Sequence, residues 1–289
     1  MPISNEQTEL DGVLEGYLRQ WPDVQNEISA SPYGSFFKNW SPEIFTRSQS
    51  LTIPELWALM DKAWDENLPK NESDILKYYA HPVWWLNAKI EETDRISIKH
   101  RLIAVNLARA YHPRKALDRG GGYGLLTRMA YQLLPDVEIH LEDVIDSEAA
   151  SAMVADLERV RVVAKSEPPY DVIWSIEVIE HLTDPIREIY DLNHLLRIGG
   201  ALITSYSFYP MIKCHLPQNY YLRHAFHRLV PLLGFRLARF ERPSVTVWVF
   251  EKTQDCSKTR FALVRLLTAC LHPMLLLANA LYPTLRQSK

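Results

Sequence analysis

The chain has 289 residues, of which 47% are hydrophobic and 23% charged, a globular composition that excludes disordered and fibrous classes. Lysine and arginine total 32 against 35 acids, a net charge of −3, so the basic excess of a nucleic-acid binder is missing and such a partner is disfavoured. Cys214, Cys256 and Cys270 have neither metal-ligand spacing nor a disulfide framework, and MPISNEQTEL shows no signal peptide; both point to a cytoplasmic protein.

Residues 1–112 read as a helical N-terminal cap. Leu14, Tyr17 and Leu18 form one apolar stripe, and Thr52-Ile53-Pro54-Glu55 opens a helix with proline in its first turn. Between Asp94 and Tyr111, Ile98, Leu102, Val105 and Ala108 recur at helical intervals. Six of the eight tryptophans fall in this part (Trp21, Trp40, Trp57, Trp64, Trp84, Trp85), a pattern of core packing or of a ligand pocket.

From Lys115 the rhythm becomes short strands separated by helices. KALD (115–118), VEIHLED (137–143), RVRVVA (159–164), DVIWSIEV (171–178) and ALITSY (201–206) read as strands. Helices are expected over 125–134, 147–158, 183–197 and 219–232, and a hairpin-like pair at 235–240 and 245–251. Such alternation predicts an α/β fold, a parallel sheet covered on both faces, over residues 113–256.

The tail, 257–289, carries five basic residues and no acid. It is largely apolar from Phe261 to Tyr282, but Arg265, His272 and Pro273 make it a poor transmembrane candidate, since a span needs about 20 apolar residues. Two short helices, packed on the domain or on a homodimer partner, are one expectation; peripheral membrane contact is the other.

Chemistry concentrates after the first strand. In Ala116-Leu117-Asp118-Arg119-Gly120-Gly121-Gly122-Tyr123-Gly124 an acid ends a strand, glycines turn the chain, and a helix follows. Such a turn presents backbone N–H groups and a helix N-terminus to a ligand at the sheet edge. The dinucleotide fingerprint Gly-x-Gly-x-x-Gly fails in both registers, at Leu125 and at Thr127, and no phosphate loop is present.

Gly120-x-Gly122-x-Gly124 after Asp118 resembles the class I S-adenosylmethionine-dependent methyltransferases. The segment Tyr170 to Leu182, containing Glu177-Val178-Ile179-Glu180-His181, is similar to that family's fourth-strand motif. Leu195-Leu196-Arg197-Ile198-Gly199-Gly200 is similar to its Leu-Lys-Pro-Gly-Gly turn into the fifth strand. The matching segments, in order, cover roughly residues 113–252.

The resemblance implies a doubly wound, Rossmann-like sheet of seven mostly parallel strands with the last antiparallel, and S-adenosylmethionine as cofactor. It assigns cofactor contacts to Asp118, Gly120, Gly122, Gly124, Ser175 and Glu177. It also implies an acid on the ribose hydroxyls at the end of the second strand: Asp143, nineteen residues beyond Gly124, with Glu142 as the alternative. Two features depart from the family. Arg119 replaces a small or aliphatic residue, facing either the cofactor carboxylate or outward. The loop from Ala164 to Pro169 lacks the usual adenine-binding aspartate, leaving backbone groups of Ala164 or Lys165 to substitute.

The implied reaction is in-line methyl transfer to a small-molecule, sugar or lipid-like acceptor, most naturally at oxygen. A hydroxyl acceptor needs a base, for which His181 and His215 are the candidates, each with packing or capping as the alternative. Glu177, Glu180 and His181 have the spacing of one helix face, and some relatives use similar residues for a divalent ion; no metal is expected here. Two rivals remain: a cofactor-binding but inactive scaffold, and a nicotinamide oxidoreductase.

Overall fold

Tyr170–Ile176, an almost continuous apolar run, is buried at every position except the half-buried Asp171, as a central parallel strand requires. It is β4 of a computed structural model that describes residues 5–145, 147–242 and 245–287. The remaining strands are β1 (Lys115–Arg119), β2 (Glu138–Glu142), β3 (Val160–Val162), β5 (Leu196–Ser205), β6 (Phe235–Glu241) and β7 (Val247–Lys252). They form one sheet in the order β3-β2-β1-β4-β5-β7-β6. Neighbouring pairs from β3 to β5 are parallel, and β7 runs antiparallel to both β5 and β6. The α/β expectation and the antiparallel last strand are both found.

The strand order reverses between β1 and β4, so the chain leaving these strands diverges to opposite faces and opens a crevice at their carboxyl ends. Helices α8 (Leu125–Leu133), α9 (Ser147–Met153) and α10 (Pro185–Leu195) supply crossovers.

The N-terminal part contains α1 (Asn5–Tyr17), α2 (Trp21–Ala30), α3 (Gly34–Trp40), α4 (Ile53–Asn67), α5 (Glu72–Tyr79), α6 (Val83–Glu91) and α7 (Arg95–Ala108). Thr52 caps α4 reciprocally with Glu55, as the proline-bearing start predicts. The helices divide between two cores. Those from α2 to α6 share one around Trp21, Phe37, Leu56, Tyr78 and Trp85. By contrast, α7 packs Ile98, Leu102 and Val105 on the sheet beside Trp174 and Ile203, and Leu14 of α1 joins them. The Trp174 indole N–H donates to the Ala104 carbonyl at 3.1 Å, fixing α7 to the middle of the sheet.

Three helical expectations are corrected. The helix expected over 147–158 stops at Met153. The one expected over 219–232 is a 3-10 turn (Pro217–Leu222), a single helical turn α11 (Phe226–Leu229) and another 3-10 turn (Val230–Leu233). Pro217 and Pro231 have no N–H to continue a ladder. The two short tail helices are instead one helix, α12 (Lys258–Gln287), that runs through Pro273. Pro273 and Ala269, whose carbonyl loses its donor, both lie on the exposed side, where that carbonyl can be satisfied from outside. By length and composition its segment Lys258–Leu277 is sufficient to cross a membrane, contrary to the sequence expectation.

Candidate active site

A cavity of about 630 Å³ opens at the carboxyl edge of β1 and β4. Its lining includes the glycine loop, Gly120 to Tyr123, with Glu142, Asp143 and Glu177. The cap contributes Ile53, Trp57, Met60, Tyr79 and Trp84 to the lining. His181, Ser207, Met211, Ile212 and His215 line it as well.

The glycines do different things. Gly120 (φ +72°) and Gly124 (φ +82°) lie in the left-handed region, where a Cβ would come 2.6 Å from Val178 and 2.8 Å from Val154 respectively. A Cβ on Gly121 would strike the Asp118 carboxyl at 2.5 Å. These three let the loop lie flat on the protein. Gly122 (φ +56°) has nothing within 4 Å of its would-be Cβ and lines the cavity, so its missing side chain leaves room for a ligand.

Asp118 sits beneath the loop, buried, accepting from the Thr127 hydroxyl at 2.7 Å. Burial pushes its carboxyl up to about 6, against the opposing pull of that hydrogen bond. Neither Asp118 nor Gly124 is among the residues lining the cavity, so both support the loop from below. Ser175, a third expected cofactor contact, is also outside the lining; it is fully buried in the sheet and its hydroxyl has no partner. Alternation along β4 turns its side chain to one face of the sheet, away from the cavity lining.

Asp143 and Glu142 are each engaged on both oxygens, Asp143 by backbone N–H groups and Glu142 by Arg119 and Ser166. Asp143 accepts from the N–H groups of Gly122 at 2.7 Å, Val144 at 2.6 Å and Ile145 at 3.0 Å, which ties the second strand to the glycine loop. Burial nevertheless raises its carboxyl above the ordinary value. Glu142 is engaged on both oxygens, by Arg119 on one and by Ser166 on the other. Arg119 also bridges to Glu188 at 2.8 Å. Arg119 is thus held among the lining residues by two carboxylates. Ala164 lines the cavity, and Lys165 is not among the lining residues.

Beyond β4 the chain is strained. Glu177 has φ +55°, rare for a residue with a side chain, and its N–H donates to the Ser205 carbonyl at 3.1 Å. A single 3-10 turn, Ile179–His181, follows. Glu177, Glu180 and His181 therefore do not share the face of a regular helix as their spacing suggests. Instead, Glu180 and His181 are joined by His215, with ligand-capable atoms all within 4.8 Å of one another. Glu177 Oε1 and Glu180 Oε2 are buried and unpartnered. Burial raises both carboxyls, and repulsion from Glu177 adds to the rise at Glu180.

The two imidazoles are oriented alike. His181 Nδ1 lies 3.2 Å from the Cys214 carbonyl and His215 Nδ1 lies 2.9 Å from the Tyr209 carbonyl. A carbonyl only accepts, so Nδ1 carries the hydrogen in each ring and Nε2 keeps the lone pair. Burial drives the His181 imidazole down to about 3, with His215 adding to the effect, and lowers His215 as well. The rings stand 4.8 Å apart between centroids, and His181 also meets Tyr79 and Trp84 edge-on. Tyr79 Oη and Trp84 Nε1 are themselves buried without partners. Sequence reasoning left the cap tryptophans between core and pocket; the structure divides them, Trp57 and Trp84 lining the cavity and Trp21 and Trp85 buried in the cap.

The model of the methyltransferase domain matches residues 91–242, just over half of the chain, beginning near α7. No curated protein matches the sequence. Among solved structures, the CurJ carbon methyltransferase is 14% identical, with 76% of this chain and 70% of that chain covered and a TM-score of 0.51. Human N-acetylserotonin methyltransferase in complex with SAM is 17% identical, covering 68% of this chain and 66% of that one, with a TM-score of 0.48. An O-methyltransferase family protein from Burkholderia thailandensis is 12% identical over 72% and 74%, with a TM-score of 0.46. At such identities the likeness is one of fold. Together with the domain match, the sheet order and the glycine loop place this protein in the methyltransferase-domain family, of the class I S-adenosylmethionine-dependent type.

Proposed function

We propose that the protein methylates a hydroxyl oxygen of a small molecule with an apolar, ring-bearing body, using S-adenosylmethionine. The observation that carries this reading is the make-up of one cavity. A glycine loop and a buried carboxyl group line the same cavity as aromatic side chains of the cap and two imidazoles.

The residues present suit the cofactor. Gly122 leaves open the volume a side chain would fill, and Asp143, with two carboxylate oxygens, suits a pair of ribose hydroxyls. When bound, S-adenosylmethionine supplies a methyl group already activated by its sulfonium. The protein's work is then alignment and exclusion of water. Trp57, Trp84, Ile53 and Met60 give the acceptor an apolar bed, and the unpartnered Tyr79 hydroxyl and Trp84 indole N–H offer donors to its polar substituents. As the new C–O bond forms, the attacking hydroxyl becomes a strong acid. An imidazole with a depressed pKa therefore still takes up that proton at Nε2 of His181 or His215.

One observation favours a metal-assisted variant. Glu180, His181 and His215 offer a carboxyl oxygen and two imidazole nitrogens, a donor set suited to a divalent cation, and Glu180 Oε2 has no other partner. A cation held there would polarise the acceptor hydroxyl.

The test is label transfer. The protein is incubated with methyl-labelled S-adenosylmethionine and a panel of phenols and alcohols, with and without magnesium or manganese. Labelled methyl ether supports the reading. Tight cofactor binding with no transfer to any acceptor favours the inactive scaffold instead.

A further inference from the structure

We infer that α12 is a membrane-docking helix, lying in the plane of an anionic lipid surface with its outward face among the acyl chains. The inference is independent of the methyltransferase reading.

The helix has two opposed apolar sides. Inward, Phe261, Val264 and Leu275 pack into the core that contains Tyr190, Leu222 and Leu233, and His272 meets Tyr221 with ring centroids 4.4 Å apart. Outward, Leu263, Leu266, Met274 and Leu277 are each more than 60% exposed. With exposed Cys270 they recur at intervals of three and four residues, forming one continuous stripe. A helix that is apolar all round and covered on one side only presents a patch that soluble surfaces rarely leave bare.

Charge selects the occupant. Lys258, Arg260 and Arg265 are the charged residues between 258 and 277, and none of the residues from 266 to 285 is charged. No acid occurs anywhere from 257 to 289. A second copy of the chain docked on this stripe would bring cations against cations or against leucine, in either relative orientation. Arg265 pairs with Asp184 at 3.2 Å, so lipid headgroups supply anions for Lys258 and Arg260, and acyl chains cover the leucines. The inward side is already fixed to the protein, so the helix lies along the surface rather than spanning it.

The experiment is co-sedimentation of the full chain with phosphatidylglycerol and with phosphatidylcholine vesicles, alongside sedimentation velocity without lipid. Leu266→Glu/Leu277→Glu alters two exposed positions, and circular dichroism checks that the variant is folded. We expect binding to phosphatidylglycerol at least about tenfold stronger than to phosphatidylcholine, and a loss of about tenfold or more in the double variant. Recovery of the protein in the supernatant with both vesicle types overturns the inference. So does vesicle binding that the folded double variant retains. A lipid-free dimer that the variant abolishes, with no vesicle binding, assigns the stripe to a second copy and also overturns it.

Discussion

His181 and His215 face one another with ring centroids 4.8 Å apart, each held through Nδ1 by a backbone carbonyl. This arrangement fixes the same tautomer in both rings, and burial favours the neutral form of each against the opposing pull of the carbonyl bonds. Replacing either by alanine is expected to lower kcat by about 10²–10⁴ while leaving calorimetric cofactor affinity within about threefold. An alanine variant of both histidines that retains full turnover would remove them from the chemistry.

The carboxyl beside them allows a sharper distinction. Burial and the neighbouring Glu177 both oppose ionisation of Glu180 and favour its neutral carboxyl. Glu180→Gln is a close mimic of that state and is expected to leave Tm unchanged within about 2 °C. If a divalent cation assists the reaction, the same variant loses activity and the native enzyme is inhibited by chelators. Full activity in both cases excludes the cation.

Asp118 gives a pH-dependent prediction. Its folded pKa of about 6 lies above the ordinary aspartate value near 3.8. As pH rises from about 4 to 6, the unfolded chain releases this proton before the folded one does, so the group lowers stability across that window. Above it the full cost remains, about 1–3 kcal/mol. Asp118→Asn should therefore match the native protein near pH 4 and exceed it in Tm at pH 7, as scanning fluorimetry can measure. Equal stabilities at pH 7 would contradict the assignment.

The glycine loop separates support from contact. Gly121→Ala places a methyl against the buried Asp118 carboxyl and is expected to destabilise the fold by about 1–3 kcal/mol. Gly122→Ala faces open cavity and adds only local strain, costing about 1 kcal/mol, while its methyl group enters the ligand volume. Urea denaturation of the two variants should rank them in that order.

Much of this was legible in the sequence, for physical reasons. Strands β1, β2, β4 and β7 announced themselves because burial on one or both faces forces apolar runs, and the glycine loop because its left-handed positions admit few other residues. His181 and His215 were identified separately; their contact depends on a loop held by Lys213, whose backbone N–H donates to Asp61 of the cap at 2.7 Å. No local pattern encodes a pairing across 152 residues. Motif position says nothing about which way a strand residue points, so the burial of Ser175 outside the cavity lining was not legible. Tyr79 was missed as a site residue, and Trp84 was left between core and pocket, because an aromatic in a core and one lining a cavity look alike in sequence. Their position on the cavity lining, visible only in three dimensions, distinguishes them.

The central claim is that the cavity between the glycine loop and the aromatic cap takes S-adenosylmethionine through Gly122 and Asp143. Isothermal calorimetry with S-adenosylmethionine and its demethylated product tests it, on the native chain and on folded Gly122→Val and Asp143→Ala variants. The account predicts native binding in the micromolar range, weakened at least about tenfold by each substitution. Folded native protein that binds neither ligand at millimolar concentration, with or without acceptor present, would contradict it.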